Sequence, residues 1–272
     1  MEPTRQKGRV LILAGSDSGG GAGIQADIKA VTALGGFAMT AIPALTAQNT
    51  LGVFAIHAVP VAFIRQQIQV VLDDLGADAL KTGMLHAVPV IEAVTEEIAA
   101  RAPGIPLVAD PVMIAQSGAA LLEADAVDAL RRRLVPLAAL LTPNAPEAER
   151  LAGLPVADLA GQQRAAEALL RLGAGAVLGK GGHLEGPEGS DVLATPEGLE
   201  VLTSPRLATK HTHGTGCTLA SAIATGLAQG LELRAAVVRA RAYLFQALAT
   251  APGFGQSQGP VNHAHTVRPF DA

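Results

Sequence analysis

Short apolar runs alternate with longer segments of helical periodicity along most of this chain, and that alternation restricts the fold more than any other feature. The first apolar run, residues 9–14, is followed by a glycine-rich loop and a helical pattern over residues 24–34. Residues 61–75 place Ile64 and Ile68 at helical spacing. Strands that alternate with helices usually pair in parallel, with helices on both faces of the sheet. We therefore predict an α/β fold with a mainly parallel central sheet.

The whole series reads as one unit. The predicted strands cover residues 9–14, 37–45, 52–59, 79–81, 106–110, 138–141 and 176–179, with a hairpin over 192–194 and 199–203. The predicted helices cover residues 24–34, 61–75, 87–101, 124–134, 146–152, 159–172, 217–229 and 233–250. Because no linker of biased composition and no repeat interrupts this series, we predict a single domain over residues 1–272.

Composition excludes several classes of protein. Hydrophobic residues make up 49% of the chain and charged residues 16%, which suits a packed core and not a disordered chain. A net charge of −4 argues against nucleic acid or an anionic membrane as the main partner. No apolar run reaches the length of a membrane span. The single cysteine rules out an intramolecular disulfide and fits a reducing compartment. We expect a cytoplasmic protein with a small-molecule substrate.

Polar or glycine-rich motifs follow six of the predicted strands. They occupy residues 15–23, 48–50, 81–84, 110–113, 142–144 and 180–183. In parallel sheets a ligand binds beyond the carboxyl ends of the strands, where these motifs would meet. Ordinary turn chemistry explains any one of the motifs but not the set.

Residues 210–217 read Lys-His-Thr-His-Gly-Thr-Gly-Cys and lead into an apolar segment. A glycine turn at a helix start offers free N–H groups and a positive dipole end, which favour a phosphate. A thiol at Cys217 would have a lowered pKa there and could act as a base or nucleophile. A lone cysteine is more often a small buried apolar residue, but the glycines and histidines beside it add nothing to a core. We expect the chemistry at this run.

Two common nucleotide signatures do not fit. Residues 21–26 match a loose dinucleotide pattern, but the first glycine lies several residues after the strand, and residues 37–45 carry no acidic residue for a ribose. Lys180 follows a glycine, yet Gly181 stands where a P-loop has serine or threonine. Phosphate would therefore bind at residues 214–217 and not at a P-loop.

The ordered motifs resemble one family, the hydroxymethylpyrimidine/phosphomethylpyrimidine kinases of the thiamine pathway, within the ribokinase-like superfamily. The matching stretches are residues 14–29, 46–50, 81–85, 110–113, 141–148, 180–183, 212–218 and 259–263. Ser16 and Ser18 depart from the family, in which threonine and proline are frequent at these places. The resemblance implies a ribokinase-like fold, a homodimer, and phosphorylation of the pyrimidine hydroxymethyl group by ATP, followed by phosphorylation of the monophosphate.

The resemblance also implies roles around the glycine turn. Cys217 takes the place of the aspartate that serves as the base in related sugar kinases. The amides of Gly214, Thr215 and Gly216 would stabilise charge on the transferred phosphoryl group. His213, which precedes the turn, would contact phosphate or take part in closing the site.

The ATP side is predicted from an Asn-x-x-Glu motif, Asn144 and Glu147, which in the superfamily organises Mg²⁺ and the ATP phosphates largely through water. A plain helix N-cap is the alternative for Asn144. Two readings of Asp110 remain open. It belongs to this metal network, or it lies in a turn that is fixed by the proline that follows it. Lys180 is expected to contact the ATP phosphates, with an exposed lysine as the alternative.

The acceptor side is predicted to hydrogen-bond an aminopyrimidine through Asp27 and Gln48, since a carboxylate and an amide suit an exocyclic amine and ring nitrogens. Without the resemblance, Asp27 would read as a solvated helix carboxylate. The close and apolar walls are expected from Gly15, Ala22, Met84 and Val112.

Two other functions stay open. A pyridoxal kinase of the same superfamily would also act on a heteroaromatic alcohol, although Gln48 favours the pyrimidine because dual-specificity relatives tend to be apolar there. A non-catalytic ligand-binding protein is the third reading. The intact turn at residues 214–217, with Asn144 and Glu147, argues against it.

Overall fold

Eleven strands and eight α-helices form the described part of the chain, which is residues 8–115, 118, 121–123, 125–183 and 188–267 of a computed structural model. The strands are β1 (Arg9–Leu13), β2 (Ser16–Asp17), β3 (Phe37–Ala41), β4 (Ala44–Asn49), β5 (Gly52–Ala58), β6 (Ala79–Thr82), β7 (Leu107–Ala109), β8 (Leu140–Leu141), β9 (Val177–Gly179), β10 (Glu188–Thr195) and β11 (Gly198–Pro205). The helices are α1 (Gly23–Ala33), α2 (Val61–Asp74), α3 (Val88–Arg101), α4 (Ala126–Ala129), α5 (Ala145–Ala152), α6 (Leu159–Arg171), α7 (Thr215–Ala228) and α8 (Leu233–Ala249). None of these helices is long and apolar enough to cross a bilayer.

The main sheet has eight strands in the order β11-β10-β9-β8-β7-β6-β1-β3. Every neighbouring pair from β9 to β3 is parallel, and the hairpin β10–β11 adds an antiparallel edge. This confirms the predicted mainly parallel sheet. The helix expected over residues 124–134 is α4 continued by a π-helical turn, Leu130–Leu134, and residue 124 lies outside the described residues.

Helices cover both faces of the sheet, and the side chains of β1 show why. Val10 and Ile12 pack into one apolar core with α1, α7 and α8. Leu11 and Leu13 pack into the other core with α2, α3, α5 and α6. Successive side chains of a strand point to opposite faces, so an unbroken apolar run is what a strand buried on both sides requires.

The strand predicted over residues 37–45 is in fact two strands in two sheets. Pro43, which has no N–H to donate, separates β3 in the main sheet from β4. β4 lies between β2 and β5 in a small three-stranded sheet, parallel to the first and antiparallel to the second. The register of β4 and β5 shifts between Ala47 and Gln48. The small sheet therefore brings Gln48 next to the carboxyl end of β1.

Candidate active site

Five adjacent strands, β1 and β6 to β9, end around one cavity of about 500 Å³. The predicted site residues that line it are Gly15, Ala22, Gln48, Met84, Asp110, Val112, Asn144, Glu147, Lys180, Gly214, Thr215, Gly216 and Cys217. Residues distant in sequence meet here because parallel strands end at one edge of the sheet. Of the predicted set, Asp27 alone is not among the lining residues.

The glycine turn lies between the two ends of this cavity. Gly214 is the N-cap of α7 with a φ of 84°, a left-handed conformation that glycine adopts without a Cβ penalty. A Cβ on Gly214 would overlap the carbonyl group of Gly21, and a Cβ on Gly216 would lie 3.2 Å from Nζ of Lys180 and 3.3 Å from Oδ2 of Asp110. Because Gly214 and Gly216 have no side chains, the turn approaches the loop between β1 and α1 (residues 14–22, the β1 loop) on one side and the Asp110–Lys180 pair on the other.

Cys217 carries a thiol and not a thiolate in the resting protein. Withdrawal from water raises the pKa of Cys217 to about 12, with Lys81 opposing the rise and the carboxylates of Asp27 and Asp110 adding to it. The expectation of a lowered pKa is therefore wrong, because desolvation outweighs the positive end of the helix. The alternative of a cysteine enclosed in an apolar core does not hold either, since the side chain is partly exposed and lines the cavity.

Lys180 and Asp110 form an ion pair at the carboxyl ends of β9 and β7. Nζ of Lys180 lies 2.8 Å from Oδ1 of Asp110 and 3.9 Å from Oε2 of Glu147. Burial alone would lower the pKa of Lys180, but the two carboxylates hold it above its usual value. Thr142 donates its hydroxyl to the same oxygen of Asp110 at 3.1 Å. Lys180 is therefore a largely buried ammonium, and its contact with ATP remains a prediction.

Asn144 and Glu147 form a complete capping box at the start of α5. The Asn144 side chain accepts from the amide of Glu147 at 2.9 Å, and the Glu147 carboxylate accepts from the amide of Asn144 at 2.8 Å. Both residues also line the cavity, so the N-cap reading and the ligand-binding reading of Asn144 are compatible. Burial raises the pKa of Glu147 to about 7, opposed by Lys180 and reinforced by Asp110.

The carboxylates of this cluster suit Mg²⁺ held with a nucleotide. Within the described residues, no group of three His, Cys, Asp or Glu side chains is placed to hold a metal ion. Mg²⁺ is commonly bound by one or two carboxylates together with water and substrate phosphates, however. Asp110 and Glu147, beside the ammonium of Lys180, fit that donor set.

The other end of the cavity combines an apolar wall with one polar edge. Met84 packs with Leu121 and Val112 in a small apolar cluster, and a Cβ on Gly15 would lie 2.6 Å from Cε of Met84. The carbonyl oxygen of the Gln48 side chain accepts from the hydroxyl of Thr46 at 3.0 Å. Such a slot, with an apolar wall and one amide at its edge, suits a small aromatic ring with polar substituents.

Asp27 does not belong to this pocket. The Asp27 side chain is fully buried, its two oxygens each lie 2.9 Å from Nζ of Lys81, and Ser221 donates to it at 2.7 Å. It cannot hydrogen-bond a pyrimidine, and it is not a solvated helix carboxylate either. The sequence did not reveal why Asp27 is turned away from the cavity: the side chain of Lys81, on β6, points toward α1 and α7 and pairs with it.

Asp17 is a site residue that the sequence did not single out. Its buried carboxylate accepts from the amides of Gly19, Gly21 and Ala22 at 2.8, 3.1 and 2.8 Å, and it lies 2.8 Å from Nε2 of His213. Burial alone would raise the pKa of Asp17, but His213 and the amides hold it below its usual range. Asp17 thus joins the β1 loop to the turn before α7. The usable signal was a carboxylate inside a glycine-rich loop.

The carboxyl-terminal segment around residues 259–260 also contacts this turn. The amide of His213 donates to the carbonyl of Gly259 at 3.1 Å, and His213 forms an isolated parallel bridge with Pro260. Nε2 of His213 stands 3.5 Å from the side-chain nitrogen of Gln48. His213 therefore contacts the β1 loop, the small sheet and the carboxyl-terminal segment.

The chain is similar to known proteins over nearly all of its length. It matches the phosphomethylpyrimidine kinase family over residues 17–262. It is 48% identical over 258 residues to the hydroxymethylpyrimidine/phosphomethylpyrimidine kinase of Rhizobium meliloti, which covers 94% of this chain and 96% of the relative. It is 50% identical over 257 residues to a thiamine biosynthesis bifunctional protein of Geobacter sulfurreducens, covering 94% of this chain but only 52% of that protein.

Solved structures agree with this placement. Bacillus subtilis pyridoxal kinase in its ADP complex is 34% identical with a TM-score of 0.87, over 95% of this chain and 98% of the other. A phosphomethylpyrimidine kinase from Clostridium difficile is 41% identical with a TM-score of 0.79, over 89% and 99%. The fold is the ribokinase-like α/β fold that the resemblance implied. The chain belongs to the phosphomethylpyrimidine kinase family.

Proposed function

We propose that this chain transfers the γ-phosphoryl group of ATP to the hydroxymethyl group of 4-amino-5-hydroxymethyl-2-methylpyrimidine, and then phosphorylates the monophosphate, in thiamine biosynthesis. One observation carries the proposal. A single cavity joins the Gln48 slot to the Lys180–Asp110–Glu147 cluster, and the bare turn of Gly214 contacts the β1 loop between them. The family and the names of its members support the same activity.

The chemistry needs positioning, charge neutralisation and removal of one proton. The hydroxyl oxygen forms a bond to the γ-phosphorus as the bond from that phosphorus to the ADP oxygen breaks. The amides of Gly214 and Gly216 would stabilise the developing charge, whereas the amide of Thr215 donates to the carbonyl of Thr212 at 3.3 Å. Cys217 takes the hydroxyl proton once it is a thiolate. Because burial raises the pKa of Cys217 to about 12, only a small thiolate fraction is present at neutral pH, and the rate should grow with that fraction.

The ATP end is assigned to the buried cluster. Lys180 would contact the phosphates, and Asn144 would fix Glu147 through the capping box. Asp110 and Glu147 would hold Mg²⁺ through water, and the ion would neutralise charge on the phosphates. ATP use is supported by the ADP complex of the Bacillus subtilis relative.

The direct test is product formation. The purified chain with Mg·ATP and the pyrimidine should yield the monophosphate and then the diphosphate, followed by ³¹P NMR or by chromatography. Glu147→Gln, which leaves the acceptor slot untouched, serves as the matched slow variant. Hydrolysis of ATP without any phosphorylated pyrimidine would contradict the proposal.

Pyridoxal is a second candidate substrate. The likeness to Bacillus subtilis pyridoxal kinase, with a TM-score of 0.87, is the observation that favours it. The polar edge at Gln48 favours the aminopyrimidine instead, so we expect the higher kcat/KM for the pyrimidine. An equal or higher kcat/KM for pyridoxal would reverse the assignment.

We also propose a cytoplasmic homodimer whose subunits are single kinase domains. The single cysteine of the sequence supports a reducing compartment. Leu45 and Phe54 of the small sheet are 45% and 70% exposed, and a dimer formed through this sheet would remove both from water. Sedimentation equilibrium at micromolar concentration should give twice the chain mass, and a monomer would contradict the dimer.

A further inference from the structure

Lys81 is a buried charge that the proposed mechanism leaves unused. Its side chain is 0% exposed, as is that of its partner Asp27, and Ser221 completes the group by donating to Asp27. A buried ion pair adds little stability over an apolar pair of similar volume, because two charges must be removed from water. Stability alone therefore gives a weak reason for placing an ammonium here.

The group lies directly under the floor of the cavity, next to Cys217. Ser221 follows Cys217 by four residues on α7, so the two side chains share one face of that helix. Nζ of Lys81 lies 3.0 Å from where a Cβ on Gly83 would be, and Gly83 lines the cavity. The ammonium therefore lies behind Gly83, a residue of the cavity wall.

The charges around Cys217 come from four side chains. Lys81 and Asp27 act from β6 and α1, and Asp110 acts from the end of β7. Lys180, at the end of β9, also interacts electrostatically with Cys217. Among these, Lys81 is the strongest influence in favour of the thiolate.

The positive charge on Lys81 is permanent at neutral pH. Burial alone would lower the pKa of Lys81, but the carboxylate of Asp27, with contributions from Cys217 and Asp110, keeps it above the usual value. An ammonium has three N–H donors, and the two oxygens of Asp27 engage two of them. Within the described residues Nζ of Lys81 has no hydrogen-bond acceptor other than the two oxygens of Asp27, so one N–H is not used by that carboxylate.

We propose that Lys81, held in place by Asp27 and Ser221, is a positioning residue that stabilises the thiolate of Cys217. The link to catalysis rests on the proposed function, in which that thiolate accepts the hydroxyl proton. The effect on the thiol itself is a property of the resting protein. It can be measured without any turnover.

The test is the rate at which iodoacetamide alkylates the protein at fixed pH, followed by intact mass. Because the sequence contains one cysteine, the reaction reports Cys217 alone, and its rate follows the thiolate fraction. Lys81→Met keeps the volume of the side chain and removes the charge. We expect alkylation of this variant to be at least about tenfold slower than that of the wild type between pH 8 and pH 10, which is a rise of about one pKa unit.

A purely structural role predicts the opposite sign. Loosening of the site would expose Cys217 to water and speed its alkylation toward that of a free thiol. Alkylation of Lys81→Met at the wild-type rate or faster, in a variant that circular dichroism shows to be folded, overturns the proposal. If the single variant does not fold, Lys81→Met with Asp27→Asn removes both charges together, and slower alkylation is again the supporting result.

The control is a second ion pair, between Arg9 and Asp78, which is exposed to solvent. Arg9 begins β1 and its guanidinium lies 2.6 Å from Asp78, just before β6, at the end of the strands away from the cavity. Arg9→Met with Asp78→Asn should leave alkylation unchanged. Unchanged kcat in a Lys81→Met protein with slowed alkylation would remove Cys217 as the base while leaving the role of Lys81 intact, so the two proposals fail separately.

Discussion

Replacing Gly214 with alanine should both destabilise the protein and stop turnover, because two penalties meet at this residue. Gly214 has a φ of 84°, which costs a residue with a Cβ about 1–2 kcal/mol. The new Cβ would also overlap the carbonyl oxygen of Gly21 and lie 2.9 Å from its carbonyl carbon. Relief of such crowding costs about 1–3 kcal/mol. The free energy of unfolding should therefore fall by about 2–5 kcal/mol.

Gly230 provides the matched control at the other end of α7. It has nearly the same backbone, with a φ of 85°, but no atom lies within 4 Å of where its Cβ would be. Gly230→Ala should lower the free energy of unfolding by only the backbone penalty of about 1–2 kcal/mol and should keep its turnover. The difference between the two variants isolates the contact between the glycine turn and the β1 loop.

Urea unfolding followed by circular dichroism measures the two stabilities, and ADP release with the pyrimidine measures the two activities. Movement of the turn away from the β1 loop by about 1 Å should cost about a hundredfold in kcat. If Gly214→Ala were no less stable than Gly230→Ala and turned over normally, the close approach would have no part in catalysis, and the argument for the turn would be refuted.

The remaining predictions concern the two ends of the site and its pH dependence. Cys217→Ala should fold normally and lose about a hundredfold to ten-thousandfold in kcat, and steady-state turnover near the wild-type rate would sink its role as the base. In the wild type, kcat should rise between pH 7.5 and pH 9.5, because a pKa of about 12 makes the thiolate fraction of Cys217 grow with pH; a flat profile is the contrary result. Gln48→Ala should raise the KM for the pyrimidine by up to about tenfold and barely change that for ATP, whereas Glu147→Gln should do the reverse; equal effects on both substrates would contradict this division. Burial lowers the pKa of His263 from 6.5 to about 4. The free energy of unfolding should therefore fall by about 3 kcal/mol in total as the pH drops from 6.5 toward 4. Urea unfolding of His263→Gln across this range should lack that loss.

The parts of the site predictable from sequence are those fixed by position along a strand. Asp110, Asn144 and Lys180 each follow an apolar run, and a parallel sheet brings such ends together whatever the details of packing. The break at Pro43 was also legible, because a proline inside a predicted strand signals an interruption. The apolar residues on both sides of Pro43 nevertheless favour one continuous strand over residues 37–45.

The features that could not be predicted depend on contacts between residues that are far apart in the sequence. Asp27 looked free because its partner Lys81 lies 54 residues away, on a strand whose neighbours gave no hint of an ammonium between helices. The pKa of Cys217 required both its helix position, which is local, and its desolvation, which is not. The pairing of Asp17 with His213, 196 residues apart, has the same cause.

The seating of residues 259–260 against His213 has a consequence for synthesis of the protein. Strands β1 to β9 are complete by Gly179, so a nascent chain can assemble most of its sheet long before the segment that seats His213 leaves the ribosome. We expect chains interrupted between Ala249 and Gly259 to be folded but inactive. Such chains would keep every strand of the main sheet and lack the segment that contacts His213 beside the site.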